Sequence, residues 1–329
     1  MKLLKLVAAL CAIALFATAC GDDSGATVEA AADAVADQAQ EAMADDDSAD
    51  EDAMAEDDSA DEDAMAEDAG PEVAIVSLSP TATEMLFAVG AGELVVAADA
   101  YSNYPEKAPT TDLSGWEPNI EAIAGYEPTH VFSSSAIEGL DALGIENVVL
   151  PAAVSFDDVY TQIEQVGAAT GHIAEAAEVV ANMQTDIAAA LDGLPEREVP
   201  LTYYHELDPT LYSVTSSTFI GEVYSMLGLE NAIDAADPDG EAFGYPQITE
   251  EYLITADPDV IFLADTLTSA PQSAATVAAR PGWSELKAVQ AGNIVELNDD
   301  IASRWSPRLV EFIETVAVAV ASIEAVPAS

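Results

Sequence analysis

Positive charge is the scarcest property of this sequence. Its 329 residues hold 8 Lys and Arg against 61 Asp and Glu, a formal net charge of −53. A chain so unbalanced repels nucleic acid and anionic lipid surfaces, which excludes nucleic acid as a partner. Cysteine is nearly as rare. Cys11 and Cys20 both lie in the first twenty residues, so the folded part has no disulfide, no CxxC and no Cys/His metal cluster. Three histidines exist, His130, His172 and His205, with no H-E-x-x-H pattern, which argues against a zinc enzyme. There is no G-x-S-x-G, no Walker A and no Cys placed as a nucleophile, so an enzyme is the poorer reading. Asp299 and Asp300 could do acid–base work, but adjacent acids are usually just solvated.

What is present begins with a targeting segment, residues 1–20. Lys2 and Lys5 make a positive start, and Leu6 to Phe16 is a short apolar core. That core is too short to span a membrane as a stable helix. Ala17, Thr18 and Ala19 supply small residues before Cys20. Small residues ending on a Cys resemble the bacterial lipobox, although Ala17 stands where Leu is commoner. The resemblance implies cleavage before Cys20 and a diacylglyceryl group on its sulfur.

Residues 21–70 carry twenty Asp and Glu and not one Lys or Arg. The run Met43-Ala-Asp-Asp-Asp-Ser-Ala-Asp-Glu-Asp-Ala recurs nearly unchanged from Met54 and begins again at Met65. An eleven-residue period can mark a supercoiled helix. Here the apolar content is too thin to bury anything, so the segment reads as a self-repelling disordered linker. No EF-hand spacing is present.

From Glu72 the composition changes to alternating strands and helices. Strands are expected at Val73–Leu78, Leu94–Ala98, Val131–Ser133, Asn147–Leu150, Leu201–His205, Val260–Ala264 and Ile294–Leu297. Helices are expected between them, including Ile137–Leu143, Phe156–Ala169, Thr218–Leu227 and Trp283–Val289. Ser79-Pro80 opens the first helix, with Thr81-x-x-Glu84 as a rival capping box. Ser306-Pro307 is expected to cap the last helix. The longest helix spans Gly171 to Leu191. Its apolar residues Ile173, Val179, Val180, Met183, Ile187 and Leu191 recur at three- and four-residue steps, and Gly193 and Pro195 stop it. Strands alternating with helices argue parallel sheets.

The segments flanking the long helix resemble each other. Glu121-Ala-Ile-Ala-Gly-Tyr-Glu-Pro128-Thr-His-Val-Phe132 precedes it, and Glu251-Tyr-Leu-Ile-Thr-Ala-Asp-Pro258-Asp-Val-Ile-Phe262 follows it. The expected fold is therefore α/β: two similar lobes, 71–170 and 195–329, with parallel sheets, joined by one long backbone helix, 171–194. Ligands of such sheets sit beyond the C-terminal ends of the strands, here in a cleft between the lobes.

Those strand ends carry Tyr101, Trp116, Tyr212 and Tyr245, with Arg304 beyond the last strand. Flat side chains with a polar tip suit a bulky organic ligand, and a cation is conspicuous in so acidic a chain. Arg308 has two candidate partners, Glu311 and an anionic ligand. Glu121 and Glu251 start equivalent short helices, which places one carboxylate on each lobe. A homodimeric partner presents its basic groups in twofold pairs, so the two symmetries match.

Five motifs then carry a family resemblance. Val76-Ser-Leu-Ser-Pro-Thr-Ala-Thr-Glu84, Tyr101-Ser-Asn-Tyr-Pro105, Asn119-Ile-Glu121, Tyr245-Pro-Gln247 and Ser306-Pro-Arg308 resemble substrate-binding proteins of ABC importers for ferric siderophores and cobalamin. The likeness covers roughly Val73 to Ala325. It implies an extracytoplasmic, lipid-anchored protein that binds a metal chelate and delivers it to an ABC permease dimer with its ATPase. It also implies that Tyr101, Trp116, Tyr212, Tyr245 and Arg304 contact ligand. Glu121 and Glu251 would meet permease arginines. Iron or cobalt would arrive inside the ligand, so neither a covalent cofactor nor a protein metal site is expected. One departure is that Trp116 to Glu121 is a residue shorter than in the cobalamin binders, which leaves the ring's direction open. A surface sensor lipoprotein and a haem binder, with a Tyr or His205 as axial ligand, are the alternatives on the same scaffold.

Overall fold

The structure, a computed structural model, describes residues 73–323. Cys20, the targeting segment and the acidic linker lie outside the described residues.

The first lobe runs β1 (Ile75–Ser77), α1 (Pro80–Ala88), β2 (Val95–Ala98), α2 (Ile120–Ala124), β3 (His130–Ser133), β4 (Glu146–Val149) and α3 (Phe156–Thr170). Then comes the connecting helix, α4 (Ile173–Asp192). The second lobe runs β5 (Leu201–Glu206), α5 (Phe219–Met226), β6 (Leu229–Asn231), α6 (Glu250–Ala256), β7 (Val260–Leu263), α7 (Ala274–Ala278), α8 (Lys287–Ala291), β8 (Ile294–Glu296), α9 (Asp299–Ser303) and α10 (Leu309–Ser322). Every strand pair is parallel. The two sheets have the same order, β2-β1-β3-β4 and β6-β5-β7-β8, so the repeat seen in the sequence is a repeat of topology.

Parallel sheets bury both faces, and here the two faces enter different cores. In β5, Tyr203 joins a core that runs through both lobes, while its neighbour Tyr204 joins a separate cluster on the far face. In β1, Ile75 and Val76 divide in the same way. The shared core is what fuses the lobes: α3, α4, α5 and α10 all contribute to it.

Local chemistry explains the element starts. Ser79 caps α1, its Oγ accepting from the Ala82 N–H, and Thr218 caps α5 by accepting from the Gly221 N–H. The repeated Glu segments are also alike in detail. Asn119 caps α2 and Thr249 caps α6, and Glu121 and Glu251 each take the second place after the cap. The acid before each proline is left-handed, with φ 51° at Glu127 and 46° at Asp257. Few non-glycine residues adopt that backbone, so sharing it marks a structural repeat.

Several expectations need correction. The buried stripe of α4 is Ala176, Val180, Met183 and Ile187; Ile173 is exposed, and Val179 and Leu191 are half-buried. Ala176 belongs because α3 comes very close: a Cβ on Gly167 would lie 2.4 Å from the Ala176 Cβ. Between 137 and 143 only a 3-10 turn at Asp141–Leu143 forms. The Ile137 N–H is taken by Asn147 Oδ1, and Gly139 has φ 93°, which an α-helix cannot use. The expected helix from Trp283 is a 3-10 turn at Trp283–Glu285 followed by α8. Strand β6 was not expected, and its three residues are too short to show a period. Ser306 is not the N-cap of α10; that place is Arg308.

Candidate functional site

A cavity of about 320 Å³ opens at the C-terminal ends of the first lobe's strands, within the size range of small-molecule sites. Leu78, Ser79, Pro80 and Thr81, at the junction of β1 and α1, form its floor. Asp99, Tyr101, Gly115, Trp116 and Ser134 form its near wall. The second lobe contributes Asp300, Ser303 and Arg304, from α9 and its end.

Each wall residue is held by its neighbours. Gly115 lies so close to β1 that a Cβ would stand 2.2 Å from the Leu78 carbonyl oxygen, so only glycine brings Trp116 to this edge. Trp116 itself is 89% exposed, a large apolar face in water with nothing covering it among the described residues. Tyr101 is exposed too. Asp99 is buried, and the Ser102 hydroxyl donates to its Oδ1 at 2.7 Å. Thr83 Oγ1 lies 2.8 Å from both Ser102 and Ser77, tying Asp99 back to α1 and β1. Burial raises the Asp99 carboxyl above its ordinary range, opposed by the bonds from Ser102 and Tyr101 and the charge of Arg304.

The centre of the lobe junction is Glu84, which in the sequence is a capping-box candidate and the last residue of a family motif. It lies on the buried face of α1 and takes two guanidinium groups from the second lobe. Arg304 Nη1 donates to its Oε1 at 2.8 Å. Arg308 binds it in two-pronged fashion through Nε and Nη2, and Ser306 donates its hydroxyl to Oε2. Arg308 also lies 3.8 Å from the centre of the Tyr104 ring, a cation–π contact. Its partner is therefore Glu84 and not Glu311. A buried acid needs this many partners to be tolerated. The signal that could have found it was the chain's scarcity of cations, two of them within five residues.

Arg304 is equally committed. Beyond Glu84, its Nη1 donates to Asn103 Oδ1 at 2.9 Å. Its Nη2 donates to Asp300 Oδ1 at 2.7 Å and to the Tyr101 carbonyl at 3.2 Å. Asn103 in turn donates to Asp300 at 2.9 Å.

The structure thus brings Tyr101, Trp116 and Arg304 to one cavity. Tyr212 and Tyr245 are not in its lining. They lie on two extended segments of the second lobe joined by a Tyr212–Gln247 bridge and a Ser213 N–H to Pro246 carbonyl bond. Both are partly exposed, and Phe243, two residues before Tyr245, is almost fully exposed. Glu121 and Glu251 are exposed and outside the cavity lining. His205 is fully buried in β5, with Nδ1 2.7 Å from the Tyr224 hydroxyl, and burial lowers its pKa to about 3. It is closed to any haem iron. Among the described residues no group of three or more His, Cys, Asp or Glu could hold a metal ion.

A second buried acidic cluster lies at the strand ends of the other lobe. Arg280 donates to both oxygens of Glu206 at 2.6 Å and lies 4.5 Å from the Trp283 ring. Asp265 is buried close by, and neither of its oxygens has a hydrogen-bond partner among the described residues. Burial first, then the charge of Glu206, raises its pKa to about 7.

Comparison with known proteins agrees with this geometry. The family model described as "Periplasmic binding protein" matches residues 75–301. An uncharacterized ABC transporter substrate-binding lipoprotein, YvrC, of Bacillus subtilis (strain 168) is 30% identical over 74% of this chain and 78% of its own. A cobalamin-binding protein of Halobacterium salinarum is 32% identical over 72% of this chain and 66% of its own length. The periplasmic haem-binding protein HutB of Vibrio cholerae superposes with a TM-score of 0.66 at 21% identity, over 75% of this chain and 98% of its own, a likeness of fold. On its sequence, its paired parallel sheets and the cavity at their strand ends, this chain belongs to the periplasmic binding protein family.

Proposed function

We propose that this protein captures a metal chelate, a corrinoid or a ferric siderophore, outside the cytoplasm and delivers it to an ABC permease dimer. The observation that carries the reading is the cavity between the lobes, with the uncovered rings of Tyr101 and Trp116 at its edge. Solvent-exposed aromatics at a concave site are set to bury area on a flat, bulky ligand. Tyr101, Trp116 and Arg304 hold one side of it, and Tyr212 and Tyr245 meet the part that reaches across the second lobe. The relatives named for cobalamin binding favour the corrinoid. Iron or cobalt arrives within the ligand, and this chain supplies only apolar area and hydrogen bonds. The test is native mass spectrometry with cyanocobalamin and ferric siderophores. Trp116→Ala should weaken the bound chelate by about 2 kcal/mol, or about thirtyfold. A tight chelate indifferent to Tyr101→Ala and Trp116→Ala together would overturn this site.

In the same reading, residues 1–20 direct export, cleavage precedes a lipidated Cys20, and residues 21–70 space the binding lobes from the membrane. Cys20→Ser should release the protein from the membrane fraction; an unchanged fraction would end the anchoring proposal. Glu121 and Glu251 dock the permease. An acid in a helix's first turn is favourable by about 0.3–1 kcal/mol, which accounts for either Glu alone and less well for its recurrence in both lobes. Glu121→Lys or Glu251→Lys should abolish transport while ligand binding stays near normal. Normal transport, or failure traced to lost binding, would exclude docking by this pair.

A further inference from the structure

The cavity's charge narrows its ligand further. We propose that this cleft selects metal chelates of zero or positive net charge and rejects polyanionic ones. The inference rests on the reading of the cavity as a chelate site.

The argument begins with the cations. Six Lys and Arg fall among the described residues, and five are engaged away from the cavity lining. Arg197 donates to the Val320 and Ile323 carbonyls, Arg280 pairs with Glu206, and Lys287 sits beside Asp257. Lys107 lies over the Phe87 ring, and Arg308 is paired with Glu84. Only Arg304 lines the cavity. Its two terminal nitrogens carry four N–H groups, and four protein oxygens take them: Glu84, Asn103, Tyr101 and Asp300. An incoming anion must displace one of these to reach a terminal N–H.

Charge balance agrees with the geometry. Around Arg304 and Arg308 stand Glu84, Asp300 and Asp99, two positive groups against three acids. The local sum is −1 with Asp99 ionised and zero with it protonated, so no positive charge is left over. The rest of the chain adds a strongly negative field, its formal net charge being −53. One feature opposes this, the N terminus of α1 at the cavity floor. Pro80 has no N–H there, and the Ala82 N–H is already taken by Ser79, which leaves the Thr81 N–H as the one donor of the first turn open to an anion. What remains suits a neutral or cationic ligand: hydroxyls on Thr81, Ser134 and Ser303, and the faces of Tyr101 and Trp116, which attract cations.

The test titrates the whole chain with three probes by calorimetry at low and high salt. They are neutral cyanocobalamin, a ferric trihydroxamate bearing a free ammonium, and a trianionic ferric tris-catecholate. The better of the first two should bind roughly a hundredfold tighter than the trianion, and salt should narrow that gap by screening. Asp300→Asn removes one acid while its amide oxygen can still accept from Arg304, so it should move the trianion-to-neutral ratio about five- to tenfold toward the trianion. A trianion that binds as tightly as the others, or a ratio unmoved by Asp300→Asn, overturns the selection and leaves the chelate reading standing. Failure of all three probes to bind overturns the chelate reading, and this inference with it.

Discussion

The two lobes share a frame and differ at their strand ends. Ser77 of β1 pairs in register with Phe132, and His205 of β5 pairs with Phe262; those phenylalanines match in the sequence repeat. Leu78 and Glu206, one residue on, are therefore equivalent places. In the first lobe Leu78 is an apolar floor for the cavity. In the second, Glu206 is a buried acid sealed by Arg280. The helices that carry Glu121 and Glu251, by contrast, match down to the left-handed acid before proline. The comparison teaches that the repeat preserves what the sheet and the outer surface need. The chemistry at the cleft is set separately on each side.

Three sets of variants can break or sharpen that contrast. The largest effect belongs to Glu84→Gln, which leaves Arg304 and Arg308 without their shared acid. Removing one partner from a buried pair costs about 3–5 kcal/mol, read as a lower urea midpoint. Glu206→Gln should cost a similar amount, but its ion pair lies within one lobe. Small-angle scattering should therefore show altered lobe spacing for Glu84→Gln and not for Glu206→Gln. Equal scattering from both would remove the distinction between a bridging and an internal pair.

Next in size is the acid that the first lobe does not match. Asp265 has a folded pKa raised to about 7 from an ordinary value near 3.8. The folded state thus holds a proton that the unfolded state has released, and the stabilisation is complete below pH 3.8 and lost as pH rises to 7. Asp265→Asn removes that loss, so the variant should gain roughly 1–2 kcal/mol over the parent at pH 8 and less at pH 5. His205 slopes the other way, because burial lowers its pKa, but it is common to both proteins and cancels in the difference. A gain that does not depend on pH would mean that Asp265 stays ionised throughout.

The smallest effect tests the likeness itself. Asn119→Ala and Thr249→Ala each remove an N-cap from equivalent helices, at about 1 kcal/mol apiece. Near-equal losses in thermal melts support equivalent roles. A loss confined to one lobe would show that the caps match in form only.

Most of the fold was legible from short-range signals. Hydrophobic runs marked seven of the strands, and Ser79 and Thr218 marked helix starts, because those features depend on neighbours in the chain. The eighth strand, Leu229–Asn231, has an exposed Glu at its centre and is held by pairing with β5, which no local pattern reveals. The cavity wall was partly legible too. Tyr101 and Trp116 stood out as aromatics after a strand. Arg304 stood out as a rare cation, but its partners in this structure are protein oxygens brought from Glu84 and Asn103. Glu84 looked like an ordinary helix-start acid, since nothing near it in sequence reveals where its side chain goes.

The Glu84 pairing also sets the order in which the molecule can be completed. Its partners lie 220 and 224 positions later in the chain. A chain emerging from its N terminus has every strand of the first sheet long before Arg304 exists. Until then α1 carries an acid that can stay in water or be buried protonated, since burying it charged and unpaired is prohibitive. The first lobe therefore cannot close around an ionised Glu84 on its own account. Packing of α1 around that carboxylate waits for the last tenth of the chain, and the two lobes, though alike, are completed together.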